Sequence, residues 1–196
     1  GSVGFECIEE LFDSFYASRE HHRDLDWLAR MSAWAKAHGK TMGIQANSGC
    51  LRQCPFQTFH DNLHGHDRIA QSKVGEAFGF SVFRCKTNYE RGNYEDFLRA
   101  TWLRPEDVSN CEPHVSVVKL ATRRHPDPVK VLEAYATYSY HGNLAELMDP
   151  AHRFPKSFDN DRIGASALWP EVAACRDAND CRHCGKCTAL LKEVFR

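Results

Sequence analysis

The sequence predicts an α/β protein made of parallel strand–helix units, and three observations carry that expectation. Leu25, Leu28, Met31 and Ala35 recur at helical spacing, and the apolar run Thr41 to Ala46 follows them directly. A second apolar run, Val115 to Ala121, is followed by a helix start at Asp127-Pro128. Cys50, Cys85 and Arg123 each stand just past an apolar run, and in parallel α/β proteins the carboxyl ends of strands are where sites are built.

Taken in order, Val3 to Ile8 is a candidate strand. Leu11 to Arg19 holds the aromatic group Phe12, Phe15 and Tyr16 and reads as a strand end and loop. A helix from about Leu25 to His38 is capped by Asp24 and stopped by Gly39. Thr41 to Ala46 is then a strand, Asn62 to Phe78 a more polar helix, and Phe80 to Phe83 a short strand with Cys85 past its end. Asn93 to Ala100 and Pro105 to Asn110 are short helical turns, the second opened by proline. Val115 to Ala121 is expected to be a buried strand. In the helix after Asp127, Val129, Leu132 and Ala136 share a face, and Gly142 closes the segment. Residues 150–174 carry three prolines and little periodicity, so they read as a connecting arm, and the chain from Cys175 onward is an irregular cysteine-rich tail. The division is 1–149 for the α/β part and 150–196 for arm and tail.

At 196 residues with 42% apolar content the chain can bury a core. A net charge of −1 gives no basic field for nucleic acid, although local arginines could still meet a polyanion. No run is long enough to span a bilayer, and the first residues lack a leader pattern, so the expectation is a cytoplasmic protein with no membrane partner. Nine cysteines, several two or three residues apart, suit metal binding in a reducing compartment better than a disulfide framework.

The chain is organised around residues 43–62, where a strand ends in Asn47-Ser48-Gly49 and is followed by Cys50-x3-Cys54-Pro55 and by His60-Asp61-Asn62. Two buried thiols are the plain alternative, but a turn glycine and a polar triplet beside a strand end favour a metal or cluster. In the tail, Cys175-x5-Cys181-x2-Cys184-x2-Cys187 contains the C-x2-C-x2-C run with which ferredoxins wrap a cubane, Gly185 easing the tight loop. A four-thiolate zinc site needs the same residue type and remains the alternative there. Such a site would hold the arm against the α/β part, as a staple or an electron relay.

Weaker patterns surround these. His60-Asp61-Asn62-Leu63-His64 resembles the His-Glu-x2-His pattern of zinc proteases, with His66 as the nearest third ligand, but the shorter Asp weakens the match and capping and surface roles outweigh it. His60 and Asn62 are instead candidates to face a substrate. His21-His22 reads as a solvated pair, and Tyr16 with Arg19 as a possible anion site. Lys119, a charge inside an apolar run, either serves as a functional amine or pairs with a buried acid, and Arg123 could hold a carboxylate or phosphate.

Asn47-x-Gly49-Cys50-x3-Cys54-Pro55-Phe56-x3-His60, Trp102-Leu-Arg-Pro-Glu-Asp-Val108, Val118-Lys-Leu-Ala-Thr-Arg123 and Glu133-Ala-Tyr135 through Gly142-Asn-Leu144 resemble the collagenase-like peptidase family U thirty-two. The resemblance runs from about residue 10 to the end. It implies a (βα) TIM-type barrel of which this chain is the C-terminal half, the N-terminal half-barrel being missing or supplied by another chain, with self-association as a consequence of open edges. It also implies a [4Fe-4S] cluster on Cys50, Cys54 and Cys85, because family members with assigned chemistry resemble iron–sulfur proteins acting in oxygen-independent hydroxylation of RNA bases or a quinone precursor. Cys7 and Cys111 are left as ordinary buried thiols.

The expected function is therefore an iron–sulfur enzyme of redox or hydroxylation type, with one or two clusters on Cys50, Cys54 and Cys85 and on Cys175, Cys181, Cys184 and Cys187. His60, Asn62, Lys119 and Arg123 would stand near a small-molecule or RNA substrate. An electron-transfer or assembly protein and a peptidase are the alternatives.

Overall fold

The computed structural model describes residues 11–60, 62, 84–123, 125–149, 156–176 and 181–196. Three strands, β1 (Ser14–Tyr16), β2 (Thr41–Gln45) and β3 (Val117–Lys119), pair in parallel in the order β1-β2-β3. Gly43 sits at the centre of the register, opposite Tyr16 on one side and Val117 on the other. Parallel neighbours need a crossover, and α1 (Leu25–Ala37) supplies the first.

α1 forms where local chemistry dictates. Asp24 accepts from the Trp27 amide at 3.0 Å, satisfying one of the donors that a helix start leaves free. Gly39, at φ 66°, ends the helix in the left-handed region, and the Lys40 amide turns back to the Ala35 carbonyl. Leu28, Ser32 and Ala35 are buried, whereas Leu25, expected on the inner face, is exposed in the first turn.

Side chains alternate across the sheet. Phe15, Met42 and Ile44 are buried on one face, while Ser14, Tyr16, Thr41, Val117 and Lys119 on the other are exposed. The Tyr16 ring covers Gly43 there, since a Cβ would stand 2.7 Å from it. The expected buried strand Val115 to Ala121 is thus a three-residue strand with one paired neighbour and one open face.

The remaining helices are short: α2 (Arg84–Glu90), α3 (Glu95–Arg99), α4 (Pro128–Ala136), α5 (Asn160–Ala165), α6 (Trp169–Ala174), α7 (Cys181–Cys184) and α8 (Lys186–Val194). Cys85 stands inside α2. In α4, Asp127 caps as expected, accepting from the Lys130 amide. The buried face, however, is Val131, Ala134 and Tyr135, while Val129 and Leu132 are more than half exposed. The helix is apolar on more than one side, and the Tyr135 hydroxyl, donating to the Leu103 carbonyl at 2.7 Å, selects which side turns inward.

The arm and tail also differ from expectation. α5 and α6 occupy the arm and α7 and α8 the tail, and Phe158, Ile163, Trp169, Leu190 and Val194 join the same apolar core as Ile44, Leu98 and Leu103. The Trp102 to Val108 stretch makes that junction. Arg104, buried, pairs with Glu106 and Asp107 and donates through Nε to Asn160 at 2.9 Å, while Trp169 donates to Asp107 and stacks on Trp102. A buried charge tolerates this only because its donors are paired.

His22 is not solvated. It is fully buried, with Nε2 at 3.3 Å from the Ala17 carbonyl, while His21 stacks on Trp27. The candidate strands Val3 to Ile8 and Phe80 to Phe83, and all but Asn62 of the candidate helix Asn62 to Phe78, lie outside the described residues. Among the described residues no helix is long and apolar enough to cross a membrane.

Candidate functional site at the two cysteine sets

The site starts from the backbone at the end of β2. Ala46 bonds Lys119 and Leu103, Asn47 and Gly49 bond Asp149, and Cys50 accepts from the Thr101 amide at 3.1 Å. Asn47, fully buried, donates to the carbonyls of Ala121 and Leu147 at 3.0 Å each and accepts from the Ala121 amide at 2.6 Å. One amide side chain therefore ties the ends of β2 and β3 to the segment before Asp149, and the Cys50 loop leaves a rigid platform.

The loop places Cys50 and Cys54 within electrostatic reach of Cys85. Arg19 Nη1 donates to Cys50 Sγ at 3.3 Å. Gln53, at φ 53°, takes a left-handed conformation uncommon for a residue with a side chain, and so bends the chain between the two cysteines. Cys85 faces them from α2, where burial first, and then the neighbouring Cys50 and Cys54, push its thiol up to about 11. Tyr89, one turn later, is buried and raised by burial and by Cys85.

The tail gathers four more. Cys175 follows α6, Cys181 and Cys184 bound α7, and Cys187 lies in the first turn of α8. Gly185, at φ 67°, breaks the two helices apart so that thiols on both sides can face one space. All four border a cavity of about 410 Å³ with Arg99. Burial raises the Cys187 thiol against the pull of its hydrogen bond to Arg99, and Cys175 and Cys181 raise it further.

A second cavity of about 250 Å³ is bordered by Leu51, Arg52 and Gln53 of the loop and by Cys175, Cys181 and Cys187 of the tail. Cys175, Cys181 and Cys187 thus border both cavities, whereas Cys50, Cys54 and Cys85 border neither. Arg52 fastens the loop to the tail, with Nη1 at 2.6 Å from the Cys175 carbonyl and Nη2 at 2.7 Å from that of Arg176.

The donor chemistry suits a thiophilic metal or cluster, since both sets are thiols and the tail set borders a cavity. Among the described residues no three His, Cys, Asp or Glu side chains stand as the shell of a single metal ion, and the eight free cysteines there include all seven named candidates.

The other expected site residues lie elsewhere. His60, half-buried, lies in the helical residues 57–60, and Asn62 is exposed. Among the described residues Lys119 pairs with no buried acid: it is exposed, its amine 5.7 Å from the Tyr16 ring centre. Arg123 is exposed in a turn. None of these four borders either cavity. Asp61, His64 and His66 of the zinc-protease pattern lie outside the described residues. Sequence reasoning missed Arg23, Arg52, Arg99 and Arg176, which border the smaller cavity. Only Arg52 carried a signal, its place between two cysteines.

Comparison with known proteins gives one relative for this arrangement. The chain is 25% identical, over 158 residues and 78% of its length, to an uncharacterized protease of Methanocaldococcus jannaschii. It spans 45% of that protein, about half its length. No family model matches, and no solved structure matches.

Proposed function

We propose that this chain is the cluster-bearing part of an iron–sulfur enzyme of the peptidase-like class suggested by its relative's name. The observation that carries the reading is the convergence of Cys175, Cys181, Cys184 and Cys187 on one cavity. A single zinc draws thiolates to about 2.3 Å from one point, whereas a cubane spreads them over its corners, and a third thiolate only two residues on, in Cys181-x2-Cys184-x2-Cys187, favours the cluster. Cys50, Cys54 and Cys85 would hold a second group. Such a cluster, when bound, supplies one-electron chemistry.

The chain's own residues set the surroundings. Arg19 directs a guanidinium proton at Cys50, and the hydrogen bond from Arg99 partly offsets the burial that raises the Cys187 thiol. The apolar core beneath the tail keeps water from one side.

The half-barrel belongs to the same proposal. Parallel sheets are covered on both faces, yet here Tyr16, Val117 and Lys119 leave one face open, and the chain spans 45% of its relative. The open face is then the inner wall of a barrel completed by the remaining half.

Anaerobic purification followed by iron, sulfide and zinc counting, with a visible spectrum, tests the reading. Cluster absorption is expected, and Cys184→Ser should release about one cluster's worth of iron while signal from the Cys50 set persists. Colourless protein holding only zinc would replace the cluster by a structural site. Proteolysis by metal-free protein would favour the hydrolase that the relative's name describes.

A further inference from the structure

The smaller cavity has a property that thiol chemistry does not require. Among the described residues, Arg19, Arg23, Arg52, Arg99 and Arg176 border it, against two carboxylates, Glu20 and Asp96. Several of these cations are partly neutralised: Arg99 pairs with Asp96 at 3.0 Å and Arg176 with Asp24 at 3.6 Å. Arg52 spends its nitrogens on two carbonyls, which leave its charge uncompensated. Arg23 likewise donates to the carbonyls of Trp102 and Leu98 and lies over the Trp102 ring.

Nη2 of Arg23 and Nε of Arg99 are buried with no acceptor among the described residues, although the Arg99 guanidinium also bonds the Cys187 thiol. Buried guanidinium nitrogens are normally satisfied, so both side chains keep unspent donor capacity next to the cavity they border. The cations also crowd each other. The Arg23 guanidinium is pulled down to about 9 by burial first, against the attraction of Asp107, and Arg176 and Arg52 add to the fall. Like charges gathered with spare donors form a socket whose mutual repulsion an anion relieves.

We propose that this cavity binds a compact anion of two or more charges, presented as carboxylate or phosphoryl oxygens, beside Cys175, Cys181 and Cys187. At about 250 Å³ the space is smaller than the roughly 300 Å³ at which drug-sized pockets begin, which suits a small organic or inorganic dianion. Planar guanidiniums match both oxygen types in bidentate fashion. The site rests on arginine geometry and stands whether or not the cysteines carry metal.

Isothermal titration calorimetry of the full chain with malonate and, separately, with pyrophosphate at constant ionic strength tests this, on metal-free and on iron-reconstituted protein. Saturable one-site binding of at least one anion is expected in at least one of the two forms. Arg176→Gln should weaken it about tenfold, and Arg30→Gln, on the exposed side of α1, should leave it unchanged. Preference for malonate assigns a carboxylate ligand, and preference for pyrophosphate a phosphoryl one. Raised thermal unfolding temperature with the bound anion, absent in Arg176→Gln, gives the same answer without calorimetry. Failure of both anions in both forms, full-strength binding by Arg176→Gln, or binding only of a short single-stranded RNA would overturn the proposal. Loss of iron binding alongside intact anion binding would remove the cluster reading and leave this one standing.

Discussion

Arg52 reaches Cys175 across 123 residues of chain, its guanidinium donating to the Cys175 carbonyl at 2.6 Å. The cysteine loop and the tail are thereby held as one body. Arg52→Ala should cost roughly 1–3 kcal/mol, the range for hydrogen bonds from a charged donor. Faster hydrogen exchange in α8 is expected to accompany the loss. Unchanged exchange there would show that the core contacts alone seat the tail.

Asn47→Ala removes a buried amide serving three backbone partners. Each group left unsatisfied costs about 1–3 kcal/mol, so the urea midpoint should fall by an amount corresponding to roughly 3 kcal/mol or more. Asn47→Asp should do no better, since it keeps the acceptor but loses both donated bonds and adds a buried charge.

His22 makes stability depend on pH. Burial lowers its pKa from 6.5 to about 4, partly opposed by hydrogen bonds to the Ala17 and Thr101 backbone. Between those values the unfolded chain binds the proton and the folded one does not. The contribution is therefore fully present above pH 6.5 and is lost as pH falls towards 4, to a total of roughly 3 kcal/mol. His22→Asn should flatten that part of a stability–pH curve measured by denaturant unfolding. An unchanged slope would assign acid sensitivity to the carboxylates instead.

The open sheet face predicts association of the isolated chain. Tyr16 and Val117 are 51% and 48% exposed on it, and apolar surface on a parallel sheet is a docking surface. Light scattering should report a mass above that of one chain at high concentration. Val117→Lys should shift the distribution towards the monomer, and a monomer before any substitution would contradict the barrel reading.

Local features were legible in the sequence because they are settled within a few residues. The caps at Asp24 and Asp127 are of this kind, as are the stop at Gly39 and the cysteine spacings. What escaped depends on partners far along the chain. The inner face of α4 is chosen by Tyr135 meeting Leu103, 32 residues away. The burial of Arg104 depends on Asn160, and that of His22 on packing that includes the Cys111 thiol against its carbonyl. The arm looked irregular because α5 and α6 are only six residues each, too short for a periodic pattern, although Asp159 caps α5 in the same way as the longer helices are capped. The arginine socket was half visible: Arg19 stood out as an anion ligand, but its companions are spread from residue 23 to residue 176.

The 123-residue span between Arg52 and Cys175 also fixes an order of events during synthesis. At about 5–20 residues per second, the loop leaves the ribosome some 6–25 seconds before the carbonyl that fastens it exists. During that interval Cys50 and Cys54 have no tail beside them. A chaperone or metal carrier acting on the nascent chain would meet the pair of thiols alone, whereas one arriving later would meet their loop already fastened to the tail.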